Sequence, residues 1–225
     1  MTAQIQSLID KTDNFELIGA EIAAILAVET ISQQVLATAA GKDPDLWALA
    51  VYRERSNPWE RYLNSDDTTP IVNVWFDSAT YDAAASNTIK RQKADATYNI
   101  DCYGRGVSQA DGAGHVAGDK KAATEAHRCL RLVRNILMAS QYTYLGMQGT
   151  VWRRWPQSIT VFQPQEIERS AQQIVAARLA LEVQFNELSP QYEYETLEQL
   201  NVSITKETAD GLVYMTAQYD YETEE

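Results

Sequence analysis

Histidine and cysteine, which most often supply acid–base, nucleophilic and soft-metal chemistry, are scarce in this sequence. The chain contains only two of each: Cys102, His115, His127 and Cys129. They form neither the C-x-x-C nor the H-x-x-x-H spacing of a zinc site. His127 and Cys129 are two positions apart on a predicted helix, where they point about 200° apart and cannot bind one ion together. We therefore expect no metal site.

A run of glycines, from Gly112 to Gly118, lies between a predicted strand and a predicted helix, where a phosphate-binding loop would lie. Its third glycine comes one residue too late for G-x-G-x-x-G, and Asp119 stands where a P-loop has lysine. No G-x-S-x-G sequence is present to position a nucleophilic serine. We expect no cofactor, no catalytic residue and no enzymatic activity, and interpret residues 104–118 as a flexible loop at a protein interface.

Charge is unevenly distributed along the chain. Nineteen Lys and Arg stand against 31 Asp and Glu, and a net charge of −12 excludes a generally basic nucleic-acid binder. Residues 88–134 are basic, with nine Lys and Arg against five acidic residues, whereas residues 191–225 hold one Lys and nine acidic residues. Either these are two independently solvated faces, or they meet between copies in a head-to-tail ring. The candidate residues for that contact are Arg128, Arg131 and Arg134 on one side and Glu222, Glu224 and Glu225 on the other.

A second candidate interface is the run Trp152, Arg153, Arg154 and Trp155. Aromatic and arginine side chains are enriched at interface centres. Trp59 and Tyr62 lie in a similarly irregular stretch, and ordinary core packing is the competing interpretation for each aromatic residue.

Two amphipathic helices are predicted. The first runs from Asn14 to about Ala40, with Asp13 and Glu16 as a capping box and Gly41 as its end. Its apolar stripe comprises Ile18, Ile22, Ile25, Val28 and Val35. The second runs from Lys120 to Met138. Its inward residues are Ala122, Ala126, Cys129, Leu130, Val133 and Leu137, and its outward ones are Lys120, Lys121, Arg128, Arg131 and Arg134.

Strand patterns occupy the rest of the chain. Strands are predicted at residues 71–76, 94–103, 152–162 (interrupted by Pro156) and 174–187, with a C-terminal hairpin from near residue 202 to residue 219. Asp95, Thr97, Asn99 and Asp101 are expected to form a wet face, and residues 78–93 a loop or arm. The predicted fold is α+β: a mainly antiparallel β-sheet flanked by at least two α-helices, with extended loops and a C-terminal arm or hairpin.

The whole chain, residues 1–225, is predicted to form one domain. Approximately residues 1–55 make its helical N-terminal part, residues 71–204 its α+β core and residues 205–225 an acidic C-terminal extension. The start of the sequence lacks a secretory signal, and no apolar stretch is long enough to span a membrane. We expect a soluble protein made in a cytoplasm, with two reduced, buried cysteines.

In the order of its elements the chain resembles the tail-terminator and neck (tail-completion) proteins of tailed phages. The resemblance rests on the strand from Ala177 to Glu187, the run from Val72 to Asp77, the strand from Tyr98 to Gly104, the arginine-rich helix and the segment from Tyr192 to Ile204. It covers nearly the whole chain.

That resemblance implies a structural virion protein, assembled in the host cytoplasm. Such proteins form a hexameric ring at the head-proximal end of the tail, end the polymerisation of the tube and, in contractile tails, of the sheath, and join the tail to the neck. The implied partners are further copies of the chain, the tube and sheath proteins, and a connector or collar protein, while DNA passes through the ring without specific binding. A collar or head-completion protein and a small assembly chaperone remain as alternatives.

Overall fold

The computed structural model describes residues 8–63, 67–83, 91–111, 114–116, 118–164, 172–188, 199–208 and 211–220. The chain divides into two compact units, Met1–Pro190 and Gln191–Glu225.

A five-stranded sheet forms the centre of the first unit. Its strands are β1 (Ala50–Arg53), β2 (Ile71–Tyr81), β3 (Arg91–Val107), β6 (Val151–Phe162) and β7 (Gln172–Leu188). Their order across the sheet is β1-β2-β3-β7-β6. The short β1 pairs parallel to β2, and every other pairing is antiparallel. The predicted α+β class, with a mostly antiparallel sheet, is therefore confirmed.

The first helix, α1, spans Asn14–Ala39, within one residue of its predicted ends. Gly41 has a φ of +67°, and the N–H groups of Gly41 and Lys42 donate to the carbonyls of Thr38 and Ala37. This is the Schellman arrangement, which glycine favours at that position. The predicted capping box is wrong, because the Asp13 side chain makes no capping hydrogen bond at the start of the helix.

The second long helix, α3 (Gly118–Leu137), lies directly on β3. A Cβ atom on Gly104 would lie 2.3 Å from the Ala122 carbonyl oxygen, and one on Gly106 would lie 2.0 Å from the Gly118 carbonyl oxygen. Both glycines thus provide close helix–sheet packing. The predicted flexible loop is wrong here: residues 104–107 belong to β3, and a hairpin of β4 (Gln109–Asp111) and β5 (Gly114–Val116) follows.

The hydrophobic core lies between the sheet and the two long helices. All six residues predicted on the inner face of α3 are buried. The alternating residues of β3 and β7 that face them are buried too, including Tyr98, Ile100, Leu179 and Phe185. In α1 the stripe is correct only in part: Ile18, Ile22 and Ile25 are buried, whereas Val28 and Val35 are each 64% exposed.

The opposite face of the sheet is covered at one end. Tyr62, from the short helix α2 (Glu60–Leu63), packs there with Ile71, Tyr103, Ile174 and Ala176. The predicted wet face of β3 is therefore wrong for part of its length, since Asn99 and Asp101 are 6% and 3% exposed.

Several connections carry more structure than predicted. Two short 3₁₀ helices span Pro44–Trp47 and Ser140–Tyr142. The arm predicted for residues 78–93 is strand at both ends, because β2 continues to Tyr81 and β3 begins at Arg91. Residues 84–90 lie outside the described part.

The second unit contains the predicted C-terminal hairpin. Strands β8 (Gln199–Thr208) and β9 (Gly211–Asp220) pair antiparallel, with Val202 opposite Ala217 and Ile204 opposite Met215. Across the described ranges of both units, no helix has the length and apolar character needed to cross a bilayer.

Candidate functional site

The twelve-residue strand β6 forms one edge of the sheet and carries the predicted Trp152–Trp155 run. Its pairing with β7 shifts register twice, between Val151 and Arg153 and again between Pro156 and Ser158. Such bulges, together with a proline, interrupt the first half of an otherwise open edge. The second half, residues 158–162, pairs regularly with β7 and leaves its other side free of any described strand.

None of the described helices covers the second half of β6. Ile159 and Val161 pair with Leu179 and Ala177, so they lie on the face of the sheet that carries α1 and α3. They are nevertheless 51% and 55% exposed, whereas Leu179 and Ala177 are fully buried. The sheet thus ends in an uncovered apolar strip, which we call the β6 strip and define as Ile159 and Val161.

The two tryptophans of the predicted run are each stacked against an arginine. The Arg153 guanidinium lies 4.1 Å from the centre of the Trp155 ring, and the Arg91 guanidinium lies 5.3 Å from the Trp152 ring. Trp152 is half exposed. Trp155 is half-buried, while Arg153 and Arg91 are exposed. Surface arginine–tryptophan pairs of this kind are suited to anchoring a partner.

Arg154 has a different role from Arg153. Its guanidinium donates hydrogen bonds to the carbonyls of Leu137 and Ala139, at the end of α3. Burial lowers the pKa of Arg154. This side chain satisfies two carbonyls at a helix C-terminus, so it stabilises the fold.

The three arginines predicted on α3 also divide into two groups. Arg131 and Arg134 are exposed. Arg128 forms an ion pair with Glu125 at 2.6 Å and also donates to the Leu46 carbonyl. It therefore ties α3 to the 3₁₀ helix Pro44–Trp47. The acidic candidates Glu222, Glu224 and Glu225 lie outside the described residues.

A polar cluster that the sequence did not reveal lies on the other face of the sheet. The Asp101 carboxylate accepts hydrogen bonds from Arg178 at 2.7 and 2.9 Å and from the Trp75 indole at 3.1 Å. The Arg178 guanidinium also lies 4.8 Å from the Trp75 ring and 5.0 Å from the Phe162 ring. Its pKa is raised by the hydrogen bond to Asp101.

This cluster lines a cavity of about 340 Å³, to which Glu54, Arg55 and Trp59 also contribute. Tyr103, in the same wall, donates to Asp101 at 3.3 Å, and burial raises the pKa of its phenol, so the phenol stays protonated at neutral pH. Asp101 is thus engaged by three donors. Such a network positions strands β2, β3 and β7 and leaves this carboxylate poorly placed to act as a base.

The histidines and cysteines considered as metal ligands lie on three elements: Cys102 on β3, His115 on β5, and His127 and Cys129 on α3. Cys102 and Cys129 are free and buried, as predicted, and burial is the main cause that raises the pKa of Cys102. His127 is exposed on α3. No group of three or more potential metal ligands occurs among the residues that the structure describes.

Comparison with known proteins adds no assignment. No protein-family model matches the sequence, and no curated protein matches it.

Proposed function

We propose that the chain is a structural, non-enzymatic virion protein that forms a hexameric ring at the head-proximal end of a phage tail. The ring would end polymerisation of the tail tube, and of the sheath if the tail is contractile, and join the finished tail to a neck connector or collar protein. The observation that carries this proposal is the β6 edge, a long strand with one side that no described strand pairs with and with the exposed apolar strip of Ile159 and Val161 beside it.

An edge of this kind is suited to protein assembly. Open strand edges expose N–H and C=O groups that pair with another chain, and soluble proteins normally cover or interrupt them. Here the bulges and Pro156 interrupt only the first half. The regular second half, with Ile159 and Val161 exposed beside it, favours a surface that is covered in an assembly.

The cleft at Asp101 supports a structural role over a catalytic one. Its central carboxylate and guanidinium are bound to each other, and aromatic rings flank the pair. Catalysis needs a group that can exchange a proton or attack a substrate, whereas this arrangement fixes both groups in place.

The net charge fits a ring through which DNA passes. Each Lys or Arg that contacts a phosphate adds salt-dependent affinity, which would hinder passage of the genome. A charge of −12 on every copy disfavours such binding.

Electron microscopy of tail tubes tests the proposed function. Tubes are polymerised from the tube protein of the phage that encodes this chain, with and without the purified chain. We expect the chain to bind as a ring at one tube end and to shorten the tubes. Tubes of equal length with bare ends in both samples would contradict the proposal.

A further inference from the structure

The side of α1 that faces away from the sheet carries an apolar stripe. The stripe comprises Leu17, Ala24, Val28, Ile31 and Val35. Their spacing of seven, four, three and four residues places them along one line of the helix. Val28, Ile31 and Val35 are each 64% exposed, and Leu17 is 42% exposed. A helix that is apolar on both sides is ordinarily covered on both sides, and none of the described elements covers this outer stripe.

Charge restricts what can cover the stripe. α1 contains three acidic residues, Glu16, Glu21 and Glu29, and no Lys or Arg. A helix that binds an anionic membrane surface carries basic residues beside its apolar face, so α1 does not fit a membrane. A surface complementary to α1 would be apolar, with basic residues at its margin.

The same chain presents such a surface at the opposite edge of its sheet. Leu132 and Ile136 of α3 line a cavity with Gln33 of α1 and with Trp47, so this flank of α3 faces α1. Helical spacing places Arg131 and Arg134 away from that flank, towards the β6 side of the sheet. Both arginines are exposed, and the β6 strip of Ile159 and Val161 lies on the same face of the sheet.

We propose that the outer stripe of α1 in one copy packs on the β6 strip of the next copy, with Arg131 and Arg134 near the acidic α1. The proposal rests on the proposed ring function and names the surfaces that build the ring. Because the two surfaces are different, each copy binds one neighbour through its α1 stripe and the other neighbour through its β6 strip. Such a heterologous contact generates a closed ring when the rotation between copies allows it.

Two surface variants and their mixture test this contact. Ile31→Asp alters only the stripe, and Val161→Asp alters only the strip; both side chains are more than half exposed, so the fold should persist. Each variant alone should self-associate about tenfold or more weakly than the unaltered chain. The 1:1 mixture should form a two-copy complex by native mass spectrometry, because one unaltered stripe can still meet one unaltered strip.

Leu63→Asp is the matched control, since Leu63 is 49% exposed on α2, outside both surfaces, and should leave assembly unchanged. Val35→Asp provides a second stripe variant, and thermal melting of each variant checks its fold. Unaltered assembly of folded Ile31→Asp and Val35→Asp would overturn the contact and leave the ring function standing. A mixture that forms no two-copy complex would overturn the contact equally. This result is expected if two α1 helices pair with each other, or if another segment covers the stripe, because mixing the two variants then restores no contact. If the unaltered chain forms no ring, both proposals fail.

Discussion

The adjacent residues Arg153 and Arg154 have different roles, although their side chains are identical. Arg153 stacks on Trp155 at the surface, while Arg154 donates to the carbonyls of Leu137 and Ala139. The first is available to a partner. The second is part of the fold, because it satisfies the end of α3.

Replacing each arginine by methionine separates the two roles. Arg154→Met should lower the free energy of unfolding by about 2 kcal/mol, because two carbonyls lose charged donors. Arg153→Met should change it by less than about 0.5 kcal/mol, as for most surface substitutions. Urea unfolding of the two variants measures both values. Equal losses would show that Arg154 has no special role in stability.

Asp67 gives the stability of the fold a defined dependence on pH. Hydrogen bonds from the side chain and N–H of Thr69, and the cation of Arg61, hold the pKa of Asp67 below its ordinary value. A carboxyl group whose pKa is lowered by folding stabilises the fold above its unfolded pKa, about 3.9, and loses that contribution as the pH falls through its folded pKa.

The chain should therefore melt at a higher temperature than Asp67→Asn at neutral pH. This gap should narrow as the pH is lowered below about 4, because both chains then carry an uncharged group at residue 67. Thermal melts across that pH range measure the gap. A difference in melting temperature that stays constant down to about pH 2 would mean that the charge of Asp67 contributes nothing to the stability of the fold.

For the helices and strands, the periodicity of the sequence correctly predicted those features that depend on local sequence alone. The inner face of α3 and the alternation of β3 and β7 were correct because one side of each is fully apolar. The end of α1 was correct because Gly41 adopts a positive φ there.

Apart from the capping box at Asp13, the errors share a physical cause, because tertiary packing between residues distant in sequence decides each of them. Asp101 lies on a buried polar face because Arg178, 77 positions away, pairs with it. The sequence predicts Gly104 to lie in a loop, but it is a strand residue against which α3 packs closely. Val28 and Val35 match the period of the core stripe but lie where no described element covers them. The sequence predicted which residue types the candidate interface contains but not which of them are exposed. It does not show that Arg154 and Arg128 bind groups of their own fold.

The space around two glycines predicts different effects for the same substitution, because α3 packs closely on Gly104 of β3 whereas Gly19 of α1 has room for a Cβ atom. Gly104→Ala should destabilise the fold by about 2 kcal/mol or more, because its Cβ would lie 2.4 Å from the Ala126 nitrogen. Gly19→Ala, inside α1, should be neutral or stabilise by up to about 1 kcal/mol. There the nearest atom to a new Cβ belongs to Tyr98, at 3.4 Å. Chemical unfolding compares the two variants, and a Gly104→Ala variant as stable as the parent chain would contradict the close packing.

In the described part of the first unit, two helices cover part of a five-stranded sheet, and two of the exposed apolar surfaces lie on regular elements of this packing. One is the outer stripe of α1, and the other is the β6 strip. Together with a net charge of −12 and a cleft whose Asp101–Arg178 pair is internally bound, these surfaces favour assembly with other copies of the chain over catalysis.

Native mass measurement combined with negative-stain imaging tests the proposed assembly most directly. The purified chain, at low and moderate salt, should form closed rings with a mass of about six times 25.3 kDa. A chain that remains monomeric at its highest soluble concentration, in both salts, would contradict a self-assembling ring protein.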